Sequence, residues 1–503
     1  MAIIHRLSAG KFIRSYFYEI ALILVLAVFF AVQLPYTSTE ALGSDEALYA
    51  WCAKRLAAHP MLIFSGEILE YHPPLFPILL SLGNKLLNLH ENYRLMVLLM
   101  SLGGIILTYL LGTRIGGKFV GFLSALNLSL NYTYRLNSLL ILIDITQMIF
   151  CLILLLALCD TDASKPSQRP LLAVTIAAIF LLKWSGIFIV AFIVFYLWGA
   201  DKSLPRRDKI KTLLAVLGPA LFFFFAYYAN KFMALGYILP DIHEMVTGGV
   251  TPQPAGYYLA SLHNILNLPA LVLLLGYGVF AMIKTRHPLR RLLFIYLLVS
   301  LLSLSLPAVK VIRYSLIILP VLIIIACTGL EDLLKRIFRS AQGMRIARIL
   351  TLFLCLFFYL SLYPRTAATL AKSLLTSTGL KEAGEWIKSH DDNRGLIICQ
   401  NLRPMRYFTG INETRFGGRL IYLPGKKKEL EELLIKSSGR ILVVVDLWSE
   451  SNPSDFSPFW REAEDTAYFE GLGFRLVKEV KRFVYATRSA QKTFLPVVKI
   501  FER

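Results

Sequence analysis

The chain has 503 residues, 56% of them hydrophobic and only 17% charged, with a mean hydropathy of +0.59. Soluble globular proteins carry about a quarter charged residues, so this much apolar surface must face something other than water. A formal net charge of +20 would suit nucleic acid. The basic residues, however, fall in short loops between apolar runs rather than on one soluble face, which excludes that partner.

The first apolar run, residues 17–34, is retained as an anchor, because further spans follow it and no small-residue cleavage site does. Hydropathy and loop charge predict about eleven spans in all. The other ten lie near 95–112, 119–133, 142–159, 170–182, 185–200, 212–230, 266–283, 290–306, 314–330 and 347–363. Loops rich in Lys and Arg (Arg6, Lys11 and Arg14; Arg114 and Lys118; Lys165 and Arg169; Lys202 to Lys211; Lys284 to Arg291; Lys335 to Arg348) alternate with loops poor in them. The positive-inside rule then places the N-terminus in the cytoplasm and the tail outside, in a membrane expected to be a prokaryotic plasma membrane. Two units follow: a transmembrane domain, 1–363, with a long first outer loop at 35–94, and an extracytoplasmic domain, 364–503. A second outer segment near 231–264 holds GGVTPQPAGYY, which reads as a loop with lid behaviour.

In the tail, EAGEWIKSH has helical spacing, GLIICQ and RLIYL read as strands, and KKKELEELLIKSS as an amphipathic helix. RILVVVDLW is the clearest buried strand, a helix lies around REAEDTAYFEGLG, and FRLVKEV with RFVYATR is predicted to close as an antiparallel pair. Strands alternating with helices imply a small α/β domain. Lys426 to Lys428, with Arg403, Arg406, Arg415 and Arg419, give it a basic excess; the lysine run reads as a solvated helix face, or else as docking onto anionic headgroups or an anionic acceptor. Of the six cysteines only Cys52 and Cys399 lie outside apolar runs, and nothing pairs them.

The ionisable residues that break the apolar pattern fall on the outer side. Asp45 and Glu46 follow Gly43-Ser44: adjacent carboxylates that suit a proton acceptor and its orienting neighbour, or simply the first turn of a helix capped by Ser44. His72 precedes Pro73-Pro74, a rigid corner, and could donate to a phosphate or a sugar hydroxyl. Asp144 lies in LLILIDITQMIF and is a functional candidate by its cost alone, or a helix start paired with Arg135. Lys183, in LLKWSG, is a cation at the mouth of a hairpin or a snorkelling anchor. Lys310 and Arg313, beside Tyr314, suit a phosphate at the outer leaflet or membrane anchoring.

Taken in order, these motifs resemble the polyprenyl-phosphate-dependent glycosyltransferases of the GT-C fold, nearest to family 39, the protein O-mannosyltransferases and lipid A aminoarabinose transferases. The matches are Asp45-Glu46, His72-Pro73-Pro74-Leu75, Arg135 to Asp144, Lys183-Trp184-Ser185-Gly186, and Lys310 to Tyr314, spread over residues 15–330. The aminoarabinose transferases usually carry a lysine beside the prolines, where this chain has His72. No β-trefoil pattern appears in the tail, and Asp446 to Glu450 does not match the oligosaccharyltransferase WWDYG motif. The resemblance implies a polytopic α-helical membrane protein of GT-C type with an outer α/β domain. It implies a sugar donor carried on polyprenyl phosphate, membrane lipid as surroundings, and an acceptor that is protein, lipid or glycan. It further implies Asp45 as general base with Glu46 orienting it, and His72, Lys183, Lys310 and Arg313 on the donor phosphate. Arg135, Asp144 and Tyr314 support them; a divalent metal ion at Asp144 stays open, and no other cofactor is called for. A transporter would also use intramembrane charges, but it usually shows repeated halves, and none is visible here. A sensor or assembly protein would explain the tail and leave the first outer loop without a purpose.

Overall fold

The structure is a computed structural model. It describes residues 9–38, 42–65, 68, 73–160, 168–200, 205–236, 253–284, 287–307, 310–375, 379–390, 395–414, 418–424, 427–437, 439–446, 466–485 and 492–503. In chain order the membrane region comprises α1 (Ala9–Gln33), α2 (Ser44–Ala58), α3 (Leu75–Leu87), α4 (Tyr93–Gly116), α5 (Lys118–Leu130), α6 (Tyr132–Asn137) and α7 (Ile143–Asp160). There follow α8 (Arg169–Leu182), α9 (Phe188–Phe195), α10 (Arg206–Leu235), α11 (Pro269–Lys284), α12 (Pro288–Ser305), α13 (Leu319–Ile337) and α14 (Ala341–Leu375).

All eleven segments expected as spans are helical. Tyr16–Ser38, Tyr93–Gly116, Arg206–Leu235, Pro288–Ser305 and Ala341–Ser361 are long and apolar enough to cross a membrane, and six shorter apolar helices accompany them. The chain is an integral, multi-pass membrane protein. Helix α13 is apolar all round over its first half, and such a helix belongs inside a bundle. Leu319 to Cys327 are accordingly buried, and α13 runs through the core.

Without a hydrophobic force between helices in lipid, contact relies on close fit, which small residues permit. A Cβ on Gly329 of α13 would lie 2.8 Å from Gly278 Cα of α11, and a Cβ on Gly112 of α4 would lie 2.9 Å from Gly121 Cα of α5. Each glycine pair lets two backbones touch. At one end of the bundle the expected cytoplasmic cations are paired: Lys118 with Glu19 at 2.6 Å, Arg290 with Asp332 at 2.6 Å, Lys335 with Glu331 at 3.3 Å. The opposite end carries α2, α3 and the tail domain.

The tail domain contains α15 (Leu380–His390), β1 (Leu396–Cys399), α16 (Leu402–Thr409), β2 (Leu420–Tyr422), α17 (Lys427–Lys436), β3 (Ile441–Asp446), a short helix Ala467–Gly471, β4 (Arg475–Tyr485) and β5 (Lys492–Glu502). Its sheet has the order β2-β1-β3-β5-β4, with β1, β2 and β3 parallel and β5 antiparallel to both neighbours. The expected α/β domain is present, with two corrections. FRLVKEV and the described part of RFVYATR do not pair with each other; Arg475–Tyr485 is one strand, β4, whose partner is β5. Val480-Lys481-Arg482 holds no glycine, proline or asparagine to turn the chain, so it runs on through two bulges. Helix α14 also continues past residue 363, as far as Leu375, so the domain's own elements begin only at Leu380. Of the segment near 231–264 that holds the lid expectation, 237–252 lies outside the described residues. None of the six cysteines forms a disulfide.

The glycine contacts give a test by substitution. A Cβ at Gly278 would strike the Ile325 carbonyl, whereas Gly276 on the same helix has open space. Gly278→Ala should cost about 1–3 kcal/mol, and Gly276→Ala should stay within about 0.5 kcal/mol of the parent. Thermal unfolding of the purified protein in detergent checks the pair.

Candidate active site

Asp45 reaches its position through the first turn of α2. The Gly43 N–H donates to Glu46 Oε2 at 3.0 Å, so Glu46 closes the helix start from its third position. Ser44, expected as the cap, is the first helical residue instead. Glu46 Oε1 accepts from the Ile141 N–H at 3.0 Å and meets Arg94 Nη2 at 3.0 Å, with both side chains buried. Successive helical residues point about 100° apart. Glu46 therefore faces inward and anchors α2, and with it Asp45, to α4 and to the segment before α7.

Asp45 points the other way. Its Oδ2 accepts from Arg313 Nη2 at 3.0 Å, and its Oδ1 from Arg403 Nη1 at 3.1 Å. Arg313 lies on a short 3-10 helix, Ile312–Ile317, that leads into α13. Its Nε stands 3.9 Å from Asp144 Oδ2 and is buried without a hydrogen-bond partner. One guanidinium thus stands between two carboxylates.

Asp144 sits in the first turn of α7, where the helix dipole favours an anion. Its side chain is 4% exposed against 43% for Asp45, so Asp45 is the carboxylate a substrate can reach. Burial of Asp144 is offset by Lys183, whose Nζ donates to Oδ1 at 3.1 Å. Among the described residues Asp144 forms ion pairs with Lys183 and Arg313. Lys183 ends α8 in extended backbone, and its ammonium lies 4.0 Å from the centre of the Tyr314 ring. The Lys183-Trp184-Ser185-Gly186 turn needs its glycine, because a Cβ on Gly186 would come within 2.8 Å of the Ile179 carbonyl.

Burial alone would pull the Arg313 guanidinium down, but Asp144 and Asp45 outweigh it and hold Arg313 above its ordinary value. Burial, then the charges of Asp45 and Asp144, pushes the Tyr49 hydroxyl one turn along α2 well up. Among the described residues two carboxylates, Asp45 and Asp144, thus face Arg313, Lys183 and Arg403.

Lys310 is buried and donates to the Gln253 carbonyl at 2.9 Å and the Pro307 carbonyl at 2.6 Å. It staples backbone here instead of facing the cluster. Arg135 is buried in α6, and its carbonyl accepts from Gln33 Nε2 at 2.9 Å and from Ser138 Oγ at 2.7 Å. His72 lies outside the described residues, although Pro73-Pro74 does lead into α3, where Phe76 packs edge-on against Tyr49 at 5.0 Å.

Arg403 is the site residue that sequence reasoning missed. Of the other tail cations, Arg406 is buried against Glu413 at 3.0 Å and Arg419 donates to the Gly395 carbonyl at 2.8 Å. Lys428 is solvated, while Arg415 and Lys426 lie outside the described residues. For a divalent ion the donor set fits poorly. Asp45 and Asp144 are each taken up by cations, and among the described residues no three carboxylate, imidazole or thiol groups gather.

Residues 71–228, under a third of the chain, match the family model described as dolichyl-phosphate-mannose-protein mannosyltransferase. No curated protein matches in sequence. Among solved structures, ArnT from Cupriavidus metallidurans in the apo state is similar with a TM-score of 0.63 and 14% identity, over 95% of this chain and 97% of that one. The same protein bound to undecaprenyl phosphate gives 0.62, with the same identity and coverage. The archaeal oligosaccharyltransferase AglB from Archaeoglobus fulgidus, in complex with an inhibitory peptide and a dolichol-phosphate, gives 0.60 at 12% identity, over 96% of this chain and 74% of that one. At such identities the likeness is one of architecture. The chain is a GT-C-fold membrane protein with a small tail domain, as the motif order implied.

The two neighbouring carboxylates should respond differently to removal. Glu46→Ala leaves the Arg94 charge buried without its carboxylate and should cost about 3–5 kcal/mol, whereas Asp45→Ala, at a half-exposed position, should cost under about 1 kcal/mol. Denaturation midpoints of the two variants check this.

Proposed function

We propose that the chain is an inverting glycosyltransferase that moves a sugar from a polyprenyl-phosphate donor to an acceptor at the outer face of the membrane. The observation that carries this reading is the bridge Asp45–Arg313–Asp144: a reachable carboxylate beside a cation held in place by a second, buried carboxylate. The family-model match and the GT-C architecture support it. The relative solved with undecaprenyl phosphate supports a lipid-phosphate donor.

In this reading Asp45 accepts the proton of the acceptor hydroxyl or amine as that atom attacks the anomeric carbon. The bond between the anomeric carbon and the phosphate oxygen breaks, its electron pair leaves with the polyprenyl phosphate, and configuration inverts. The phosphate leaves readily, so the protein's task there is to hold the charge. Arg313 takes that part, with Lys183 behind it supplying positive potential through Asp144 and Tyr314. Units 1–363 and 364–503 are then the catalytic membrane domain and an outer domain. The basic end of the bundle faces the cytoplasm, and the site and tail face outward. Clustering of the ionisable groups at one end favours surface chemistry over a transport path.

Two variants test the assignment in reconstituted vesicles. With a panel of undecaprenyl-phosphate-linked labelled sugars and a membrane extract as acceptor, Asp45→Asn should lower transfer by about two to four orders of magnitude. Transfer near that of the parent rejects Asp45 as the base. Undecaprenyl phosphate itself should bind Arg313→Glu at least about tenfold more weakly, and unchanged affinity removes Arg313 from the phosphate.

A further inference from the structure

Helix α16 belongs to the tail domain, yet it lies against the helix that carries Asp45. Arg403, Arg406 and Tyr407 share one face by their spacing of three and four residues. The Arg403 Nη1 donates to Asp45 Oδ1 and to Ser44 Oγ, each at 3.1 Å. The Arg406 guanidinium stacks over the Trp51 ring at 4.9 Å. The Tyr407 hydroxyl donates to Glu91 Oε2 at 3.4 Å, and Lys54 bridges to the same carboxylate at 2.9 Å. Burial and the Glu91 charge push the Tyr407 hydroxyl up, so it remains a donor over any working pH range. Ser44, Trp51 and Lys54 of α2 thus meet a single face of the tail helix.

The consequence concerns which cation remains when a donor arrives. In the reading proposed above, on which this inference rests, Arg313 must engage the donor phosphate, and that weakens its hold on Asp45 Oδ2. Among the described residues, the charged and titratable groups around Asp45 include Arg313 and Tyr314 from the 3-10 helix, Tyr49 from α2, Asp144 and Lys183 behind Arg313, and Arg403 from α16. Once Arg313 turns to phosphate, Arg403 still contacts the base, and Asp144 favours its protonation.

We propose that Arg403 is a positioning residue. The tail domain delivers to the site the guanidinium that keeps Asp45 ionised and aimed at the acceptor while Arg313 serves the phosphate. The outer domain is then a working part of the site rather than an appended module.

The test needs neither donor nor acceptor. In the full-length protein in nanodiscs, infrared difference spectra against Asp45→Asn isolate the Asp45 carboxyl band, which is then titrated. Loss of an opposite charge in contact raises a carboxyl's titration midpoint, so Arg403→Gln should move it up by about one pH unit. Arg403→Lys, which keeps the charge, should stay within about 0.3 units of the parent. Tyr407→Phe loosens the same docking face without touching the charge on Asp45 and should leave the midpoint in place. A midpoint unmoved in Arg403→Gln overturns the proposal. So does an equal shift in Tyr407→Phe, which would mean that docking rather than Arg403 sets the titration. Failure of the transferase reading shows separately, as absence of undecaprenyl phosphate binding or of sugar transfer in protein whose Asp45 titrates as expected.

Discussion

One guanidinium between two carboxylates fixes the geometry of this molecule's working end. An isolated carboxylate buried as deeply as Asp144 would lose far more in hydration than packing returns, so it must have cations beside it. Lys183 comes from the break after α8, and Arg313 from the 3-10 turn ahead of α13. Because both are held by the buried charge, Arg313 has a fixed place from which to meet Asp45, 268 residues away in sequence. Glu46 completes the constraint from the other side by locking the start of α2 against Arg94 and Ile141. The site is therefore held by two buried ion pairs, Glu46–Arg94 and Asp144–Lys183, and presents a more exposed carboxylate, Asp45.

Much of this was legible in the sequence because a membrane makes polar residues conspicuous. Asp144 and Lys183 stand inside or at the ends of apolar runs, where an ionisable group without a purpose is costly. Hydropathy located the apolar segments, and the structure is helical in each segment expected as a span. Glu46 could not be separated from Asp45 by proximity in sequence, since only its direction around α2 tells them apart. Lys310 was misplaced for a different reason: backbone carbonyls can satisfy an ammonium, and no pattern of side chains announces them.

The tail concealed more. Its alternating strands and helices were readable, but the closing strand pair was misassigned because a charged run without turn residues looked like two short strands instead of one long one. Arg403 was hidden twice over. It lies in LRPMRYFT, a short segment with an internal proline that does not read as a helix, and its partner is 358 residues earlier. A basic excess in a soluble domain normally means solvated charge, yet here Arg403, Arg406 and Arg419 are each committed to a specific acceptor.

The account stands on Asp45 and Arg313 sharing a site with the phosphate of a lipid carrier. Cryo-electron microscopy of the protein in nanodiscs loaded with undecaprenyl phosphate addresses this directly. The account predicts phosphate density within hydrogen-bonding distance of Arg313, on the side of the bundle that bears the tail domain, with the Asp45 carboxylate alongside and still open to solvent. Phosphate bound at the opposite end of the bundle, or Asp45 turned away from it with Arg313 uninvolved, would contradict it.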